Sequence, residues 1–289
     1  MAKSREIKKR MKAVANIRRI TKTMQMIATS KFARAQQSSL ATKPYTEALL
    51  SLVGDLASME GANHPLLSGV DKAKGKPELT LILTSERGLC GPYNGSILRT
   101  AMRHLRGNPS AGSGNLEVVG KKGLIVLKFN KMSVSKHHTV FGDKPQFEDV
   151  ERLAQDYIDR YIAGEFSAVR VIYMKYISAG KQAPEVLQLL PFQPTIGGEG
   201  SKSNVQFEFS PDEGELLGAI IPAAVKALLF QAFNDAVVSE HVARMVAMKS
   251  ATDNAGKMGK ALSRKYNRAR QAQITTELTE IISGAAALS

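Results

Sequence analysis

Hydrophobic positions recur at steps of three and four over both ends of the chain. In the C-terminal stretch Ala223 to Ser289, Val238, Val242, Met245, Met248, Ala251, Ala255, Met258, Leu262, Tyr266 and Ala269 mark one stripe. This is close to the heptad spacing of a left-handed coiled coil. No proline follows Pro222, so a single helix is predicted, which at about 1.5 Å per residue would reach roughly 100 Å. Helices of that length take their stability from packing along the stripe. The stripe thins toward the end, where Gln271, Gln273, Thr275, Thr276, Glu277 and Glu280 leave little apolar surface for a partner helix.

At the other end, Ile7, Met11, Val14, Ile17, Ile20, Met24 and Ile27 form a second stripe, with Lys and Arg mainly between them. Ser4 is a candidate cap. Pro44 is predicted to kink this helix, yet Tyr45, Leu49, Leu52 and Leu56 resume the spacing, so the helix is carried to about Ala57. Two long seam-bearing helices at the two termini are most economically satisfied by packing antiparallel against each other.

The middle has a different rhythm. Leu79 to Thr84 reads as a buried strand, Ser85 to Gly91 as a glycine-containing turn, and Tyr93 to about Leu105 as a helix. Asn108 to Asn115 reads as a surface loop, Leu116–Val119 as a strand, Lys121–Lys131 as a helix and Ser133–Thr139 as an extended piece. Phe147–Ile162 is an amphipathic helix; Val169–Ile177 and Glu185–Leu190 are strands of a hairpin turning at Ser178-Ala179-Gly180. Thr195–Asn204 is a glycine-rich loop and Val205–Phe209 a short extended piece. The fold class is therefore α/β: a long antiparallel coiled coil of N- and C-terminal helices, residues 1–60 and 211–289, plus a central Rossmann-like α/β domain, residues 61–210.

Composition adds a partner question. The chain has 289 residues, a formal net charge of +14 and one cysteine, Cys90. Residues 1–43 carry 12 Lys or Arg against one acid, and residues 244–289 carry 8 against 3, which leaves the middle at −2. All the excess positive charge lies in the two terminal segments, where it reads either as a solvated helix surface or as a site for an anionic partner. A nucleic acid is disfavoured, since neither an aromatic platform nor zinc-finger spacing accompanies the charge. A single cysteine fits a reducing compartment. Apolar runs are broken by Gly218, Pro222 and Lys226 before reaching membrane-spanning length, so no direct membrane span is predicted.

Catalytic chemistry finds little to stand on. The G-x-x-G of Gly88 to Gly91 has neither dinucleotide nor P-loop spacing and reads as tight strand-to-helix packing. Cys90 reads as a small buried thiol. His137-His138 alternate across a strand with no acid at ligand spacing, so a polar edge is expected rather than a metal site. No catalytic, cofactor or metal residues are assigned.

Several separated motifs carry a resemblance. Ile20-Thr21-Lys22-Thr23-Met24, Ala28-Thr29-Ser30-Lys31, Ser85-Glu86-Arg87-Gly88-Leu89-Cys90-Gly91, Met245 to Ala255 and Ile274 to Leu288 resemble the gamma subunit family of F-type ATP synthases. The resemblance implies a non-catalytic rotor shaft, in a central stalk that couples ion-driven ring rotation to ATP synthesis in the beta subunits. It implies as partners the alpha and beta subunits of the F1 hexamer, the epsilon subunit and the membrane c-ring. It implies a peripheral location on the cytoplasmic face of a bacterial inner membrane. Arg270, Gln271 and Arg87 match family positions that grip the beta subunit, and Gly284, Ala285, Ala286, Ala287 and Leu288 match the bearing tip. Ile7, Met11, Val14, Met24, Met245, Met248, Met258 and Leu262 are the expected shaft seam. The segment near Phe207–Asp212 resembles the region facing the ring. The regulatory insertion with a cysteine pair found in chloroplast relatives is not expected beside a lone Cys90.

Overall fold

The computed structural model describes residues 2–57, 64–142, 144–193 and 213–286. The segments 195–204 and 205–212, with Ala287 and Leu288 of the expected tip, lie outside them. In chain order the elements are α1 (Ala2–Ala57), α2 (Pro65–Ser68), β1 (Leu79–Leu83), α3 (Tyr93–Gly107), α4 (Pro109–Gly112), β2 (Asn115–Val119), α5 (Lys121–Phe129), β3 (Lys136–His138), α6 (Phe147–Ile162), β4 (Val169–Ser178), β5 (Lys181–Leu190) and α7 (Glu213–Ala286). The chain divides into two compact units, one of residues 1–30 with 244–289 and one of residues 31–243.

The first unit is a pair of helices. Ser4 Oγ donates to Gln273 Oε1 at 2.9 Å, and Thr252 Oγ1 donates to Thr21 Oγ1 at 2.8 Å. Residue numbers rise on α1 as they fall on α7, so the pairing is antiparallel. Ser4 lies inside α1 rather than capping it. The buried or half-buried positions of α1 here are Ser4, Ile7, Met11, Val14, Thr21, Met24, Gln25 and Ala28. Ile17, Ile20 and Ile27, expected in the seam, are all more than half exposed.

On α7 the seam holds Met245, Met248, Thr252, Ala255, Gly259, Leu262 and Tyr266. Met258 is 55% exposed and lies off it. The neighbouring Gly259 turns inward instead, and a Cβ there would sit 4.0 Å from Val14 Cγ1. Ala255 and Gly259 thus stand on the inward side of the helix, Gly259 one residue away from the exposed Met258.

The second unit is a three-layer sandwich. Its five-stranded sheet has the order β3-β2-β1-β4-β5, with the first four parallel and β5 antiparallel to β4. The central strand β1 is buried along its whole length, as the continuous apolar run Leu79–Leu83 requires when both faces are covered. One face packs Leu81, Leu83, Val169 and Val171 against α6, the end of α1 and the beginning of α7. The other packs Ile82, Val118 and Ile172 against α3 and α5. Strand β5 is longer than predicted because Pro184 falls within an edge strand, where a missing N–H costs the ladder nothing on the open side. The predicted loop 108–115 contains the helical turn α4.

Both long helices pass through proline, Pro44 in α1 and Pro222 in α7. An interior proline costs a helix about 3 kcal/mol. Around Pro222 the core supplies the compensation: Ile221, Ala224, Val225 and Leu229 are fully buried. An 18-residue window of this helix reaches a mean hydropathy of 1.9, and 44% of that window is buried inside the fold.

The seam assignment is testable. Met248→Ala is expected to destabilise the chain by about 2–5 kcal/mol, whereas Met258→Ala is expected to stay within about 0.5 kcal/mol. Urea unfolding of the two variants beside the parent chain measures the difference; equal losses would place Met258 in the seam after all.

Candidate functional site: the exposed helix end and the Ser85–Gly91 turn

In the first unit, Arg270 and Gln271 follow the half-buried Ala269 and are both exposed. Beyond Gln273, every described residue of α7 is exposed. The polar groups of this end are largely spent on the helix itself. Thr275 Oγ1 donates to Gln271 O at 3.0 Å, Thr276 Oγ1 to Ala272 O at 2.9 Å and Thr279 Oγ1 to Thr275 O at 2.8 Å. A hydroxyl bonded back to the preceding turn offers a weaker handle to a partner. Alongside lie exposed Ile274, Leu278, Ile281 and Ile282, then Gly284, Ala285 and Ala286. The end of α7 is therefore a slender surface of apolar patches with few external hydrogen bonds to offer.

In the second unit, the turn after β1 stands at the carboxyl end of the sheet, where α/β folds place their working loops. Asn94, in the first turn of α3, organises it. Ser85 N donates to Asn94 Oδ1 at 3.0 Å, and Asn94 Nδ2 donates to Ser85 Oγ at 2.7 Å and to Cys90 Sγ at 3.2 Å. Ser85 Oγ donates to Arg87 O at 2.7 Å. Between the bonded Arg87 and Cys90, Leu89 has φ 66°, a left-handed conformation that costs a non-glycine residue about 1–2 kcal/mol. Leu89 is also 58% exposed. Arg87 is exposed beside it, while Cys90 is buried beneath. The turn is a rigid presenter of Arg87 and Leu89. Its buried side chains, Ser85 and Cys90, join the strand to the helix through Asn94.

Close packing reinforces the turn. Gly120 has φ +90°, and a Cβ there would meet Thr84 O at 2.2 Å. The backbone thus comes near enough for Thr84 Oγ1 to donate to Val119 O at 2.7 Å and accept from Gly123 N at 2.9 Å.

The most chemically suggestive cluster is one that sequence reasoning missed. His138, expected on a polar edge, is buried, and its Nε2 lies 2.6 Å from Glu117 Oε2. Tyr157 Oη donates to the same oxygen at 2.7 Å, and Arg160 Nη1 lies 3.5 Å from Glu117 Oε1. The acid comes from the neighbouring parallel strand, in register with Lys136, so no spacing along the chain could disclose it. Burial alone would raise the Glu117 carboxyl; the hydrogen bonds of His138 and Tyr157, with the charges of His138 and Lys136, outweigh it and hold the group below its ordinary value. With Glu117, His138 and Tyr157 all buried, the cluster is a clamp joining β2, β3 and α6 rather than an accessible reaction centre. Among the described residues no group of three or more His, Cys, Asp or Glu is arranged to hold a metal ion.

Comparison with known proteins now decides the family. The sequence profile of the family described as ATP synthase matches residues 3–288. The ATP synthase gamma chain of Rhodopirellula baltica is 41% identical over 297 residues, covering 100% of this chain and 99% of its own. That of an Exiguobacterium species is 38% identical over 290 residues, covering 100% of both chains. The chain belongs to the family of ATP synthase gamma chains. Among solved structures, a chain of the Euglena gracilis mitochondrial ATP synthase rotor matches with a TM-score of 0.64 at 17% identity, covering 94% of this chain and 99% of that one. At that identity the likeness bears on the fold, and it is the fold described above: long terminal helices and a mostly parallel five-stranded sheet.

Of the residues the family resemblance singled out, Arg270, Gln271 and Arg87 are exposed, and Gly284, Ala285 and Ala286 continue the exposed helix. Ile7, Met11, Val14, Met24, Met245, Met248 and Leu262 are buried or half-buried; Met258 alone of the named seam is exposed. The inward positions that sequence reading passed over, Thr21, Ala28, Thr252 and Gly259, are small or polar. They fall on an exact three-four spacing from Ser4 and from Gln273, the one signal that could have found them.

The Glu117 clamp makes a pH prediction. A carboxyl held below its ordinary value stabilises the fold fully above that ordinary value, and the contribution disappears as pH falls through the lowered one. The parent chain should therefore lose stability on acidification through the carboxylate range. Glu117→Gln should be less stable at neutral pH and show a shallower acid limb. Thermal melts of both proteins across that range test it; parallel acid limbs would remove Glu117 as the source.

Proposed function

We propose that the chain is the non-catalytic rotor of an ATP synthase central stalk. Ion-driven rotation of a membrane ring would turn its terminal helices inside a hexamer of alternating alpha and beta subunits. An asymmetric shaft favours a different conformation in each of three beta subunits. Its rotation then carries each of them through open, loose and tight nucleotide states, a coupling between sites by one rigid element with several positions. In this reading Arg270 and Gln271, with Arg87 on the α/β domain, meet an acidic loop of the beta subunit. The epsilon subunit and the c-ring contact the remainder, including residues 207–212. The assembly sits on the cytoplasmic face of a bacterial inner membrane.

The observation that carries this reading is the end of α7, where side-chain hydroxyls bond their own helix and small residues close the exposed stretch. A bearing needs a surface without deep minima. Exposed ion pairs are worth about 0–1 kcal/mol each, so grips at Arg270 and Arg87 can be made and released at each step. The separation of charge supports it as well, since the positive excess lies in the two segments that form the helical pair.

Reconstitution tests the proposal. Mixed with alpha and beta subunits of the same source, the chain should be required for a stable, cooperative ATPase. Arg270→Ala combined with Gln271→Ala should lower the coupled rate several-fold while leaving the fold intact by circular dichroism. Assembly and ATPase activity indifferent to the chain would overturn the rotor reading.

A further inference from the structure

At the amino-terminal end of the sheet, one histidine holds a polar joint that the rotor reading does not use. His104 stands in the last turn of α3, and its side chain is only 8% exposed. Asn108 Nδ2 lies 3.0 Å from His104 Nδ1. His104 Nε2 is buried without a hydrogen-bond partner, 3.6 Å from Glu78 Oε2, the same oxygen to which Arg170 Nε donates at 3.0 Å. An amide nitrogen can only donate, so Nδ1 accepts and the ring proton sits on Nε2. The opposite tautomer would turn a bare Nε2 toward the carboxylate, acceptor against acceptor.

Asn108 is where α3 ends and α4 begins. Its N–H donates to His104 O at 3.0 Å, and its carbonyl accepts from Ala111 N at 3.1 Å and from Gly112 N at 2.9 Å. The connection it opens is fastened further on by Glu78, whose N–H donates to Ser110 O at 2.9 Å and whose carbonyl accepts from Asn115 N at 3.0 Å. The segment 108–115 is thus held at its start by the His104 ring and at its end by the backbone of the residue that carries the nearby carboxylate.

We propose that His104 is a pH-sensitive latch on this segment: its neutral ring accepts from Asn108 and holds the α3–α4 joint, and uptake of a second ring proton releases Asn108 and loosens the joint. The added proton must go to Nδ1, since Nε2 already carries one, and there it meets the Asn108 amide, donor against donor.

The imidazolium is also poorly housed. Burial opposes its charge most and the Arg170 guanidinium opposes it next; the Glu78 carboxylate favours it but is already engaged by Arg170, so the ring is held below the ordinary histidine value. Other charges stand off. Gln188, opposite Arg170 on β5, is uncharged, α4 carries no charged residue, and Arg103 and Arg106 of α3 and Lys121, Lys122 and Lys128 of α5 are exposed. An opened joint wets the ring, which then takes up its proton at the ordinary histidine value. Acidification through that value therefore favours opening, and the effect levels off below the lowered one. Carboxylates titrate lower, so the latch answers to milder acid than the Glu117 clamp. It lies at the opposite end of β1 from the Ser85–Gly91 turn, so the joint can open with Arg87 still in place.

Hydrogen–deuterium exchange of the full chain reads the joint locally, at about pH 7.5 and about pH 5.5, either side of the ordinary histidine value. Relative to an unstructured chain at the same pH, protection of residues 104–115 should fall about threefold or more on acidification. His104→Gln, neutral throughout, should abolish that fall. His64, also held low by burial, accepts from Leu66 N at 3.2 Å and reports on other peptides. Protection that stays constant in the parent, or that falls equally in His104→Gln, would overturn the proposal.

Asn108→Asp, at an exposed position, keeps the latch testable should His104→Gln not fold. Its carboxylate would accept from the protonated Nδ1, so the titration midpoint of His104, followed by NMR of histidine-labelled protein, should rise, and the joint should stay protected in mild acid. An unmoved midpoint, or a joint that opens as readily as the parent's, would overturn the latch.

Discussion

Register between the two terminal helices is the constraint on which the rest of the structure depends. An apolar seam of small residues is permissive, since alanine and glycine pack nearly as well after a slip of one heptad as before it. The polar pairs remove that freedom. In the first unit Ser4 meets Gln273 and Thr21 meets Thr252. In the second, Thr42 Oγ1 donates to Gln231 Oε1 at 3.1 Å, and Gln231 Nε2 donates to Ser39 Oγ and Asp235 Oδ1. A slip would leave each buried donor without its acceptor, at about 1–3 kcal/mol per group. Polar seam positions therefore specify one register at some expense of stability. Asp235 shows the expense: burial raises its carboxyl, only partly opposed by the bonds from Gln231 and Ser39.

Why the sequence misplaced part of this seam follows from the same fact. α1 carries two stripes of helical periodicity. The more hydrophobic one contains Ile17, Ile20 and Ile27; the other contains Thr21 and Ala28. Hydropathy selects the first, but the helix buries the second: Ala28 is buried and Thr21 half-buried, with Thr21 accepting a hydrogen bond from Thr252 that an isoleucine could not accept. Elements of the α/β unit were far more legible. The run Leu79–Leu83 announces a strand buried on both faces, and Phe147–Ile162 matches α6 residue for residue. Strand order and the Glu117–His138 pair were not readable, since both depend on which strands become neighbours.

The rejected stripe is informative in its own right. Ile17, Ile20, Met26 and Ile27 leave more than half of their surface open, as do Leu278, Ile281 and Ile282 on α7. Scattered exposed hydrophobics need no explanation, but a helical pair with one apolar stripe packed and another bare has a second surface to satisfy. Within the rotor reading that surface is the lining of the alpha–beta hexamer. Hydrophobic contact is non-directional, so it can hold a shaft in place without selecting one angle strongly over the next.

Directional contacts then have a separate task. A shaft that touched its housing only through apolar side chains would turn freely and transmit nothing; one gripped by buried ion pairs would lock, because breaking such a pair costs about 3–5 kcal/mol. Within the rotor reading Arg270 and Gln271 would avoid both extremes, since they lie exposed one step outside the seam, where solvent screens any ion pair of Arg270 and competes for any hydrogen bond of Gln271. Arg87 is different in its support: Ser85 and Asn94 fix the backbone around it, so its position is set even though its side chain is wet. Within that reading, torque would pass at Arg87 through a charge that is weakly bound but firmly placed, beside the left-handed Leu89 of the same turn.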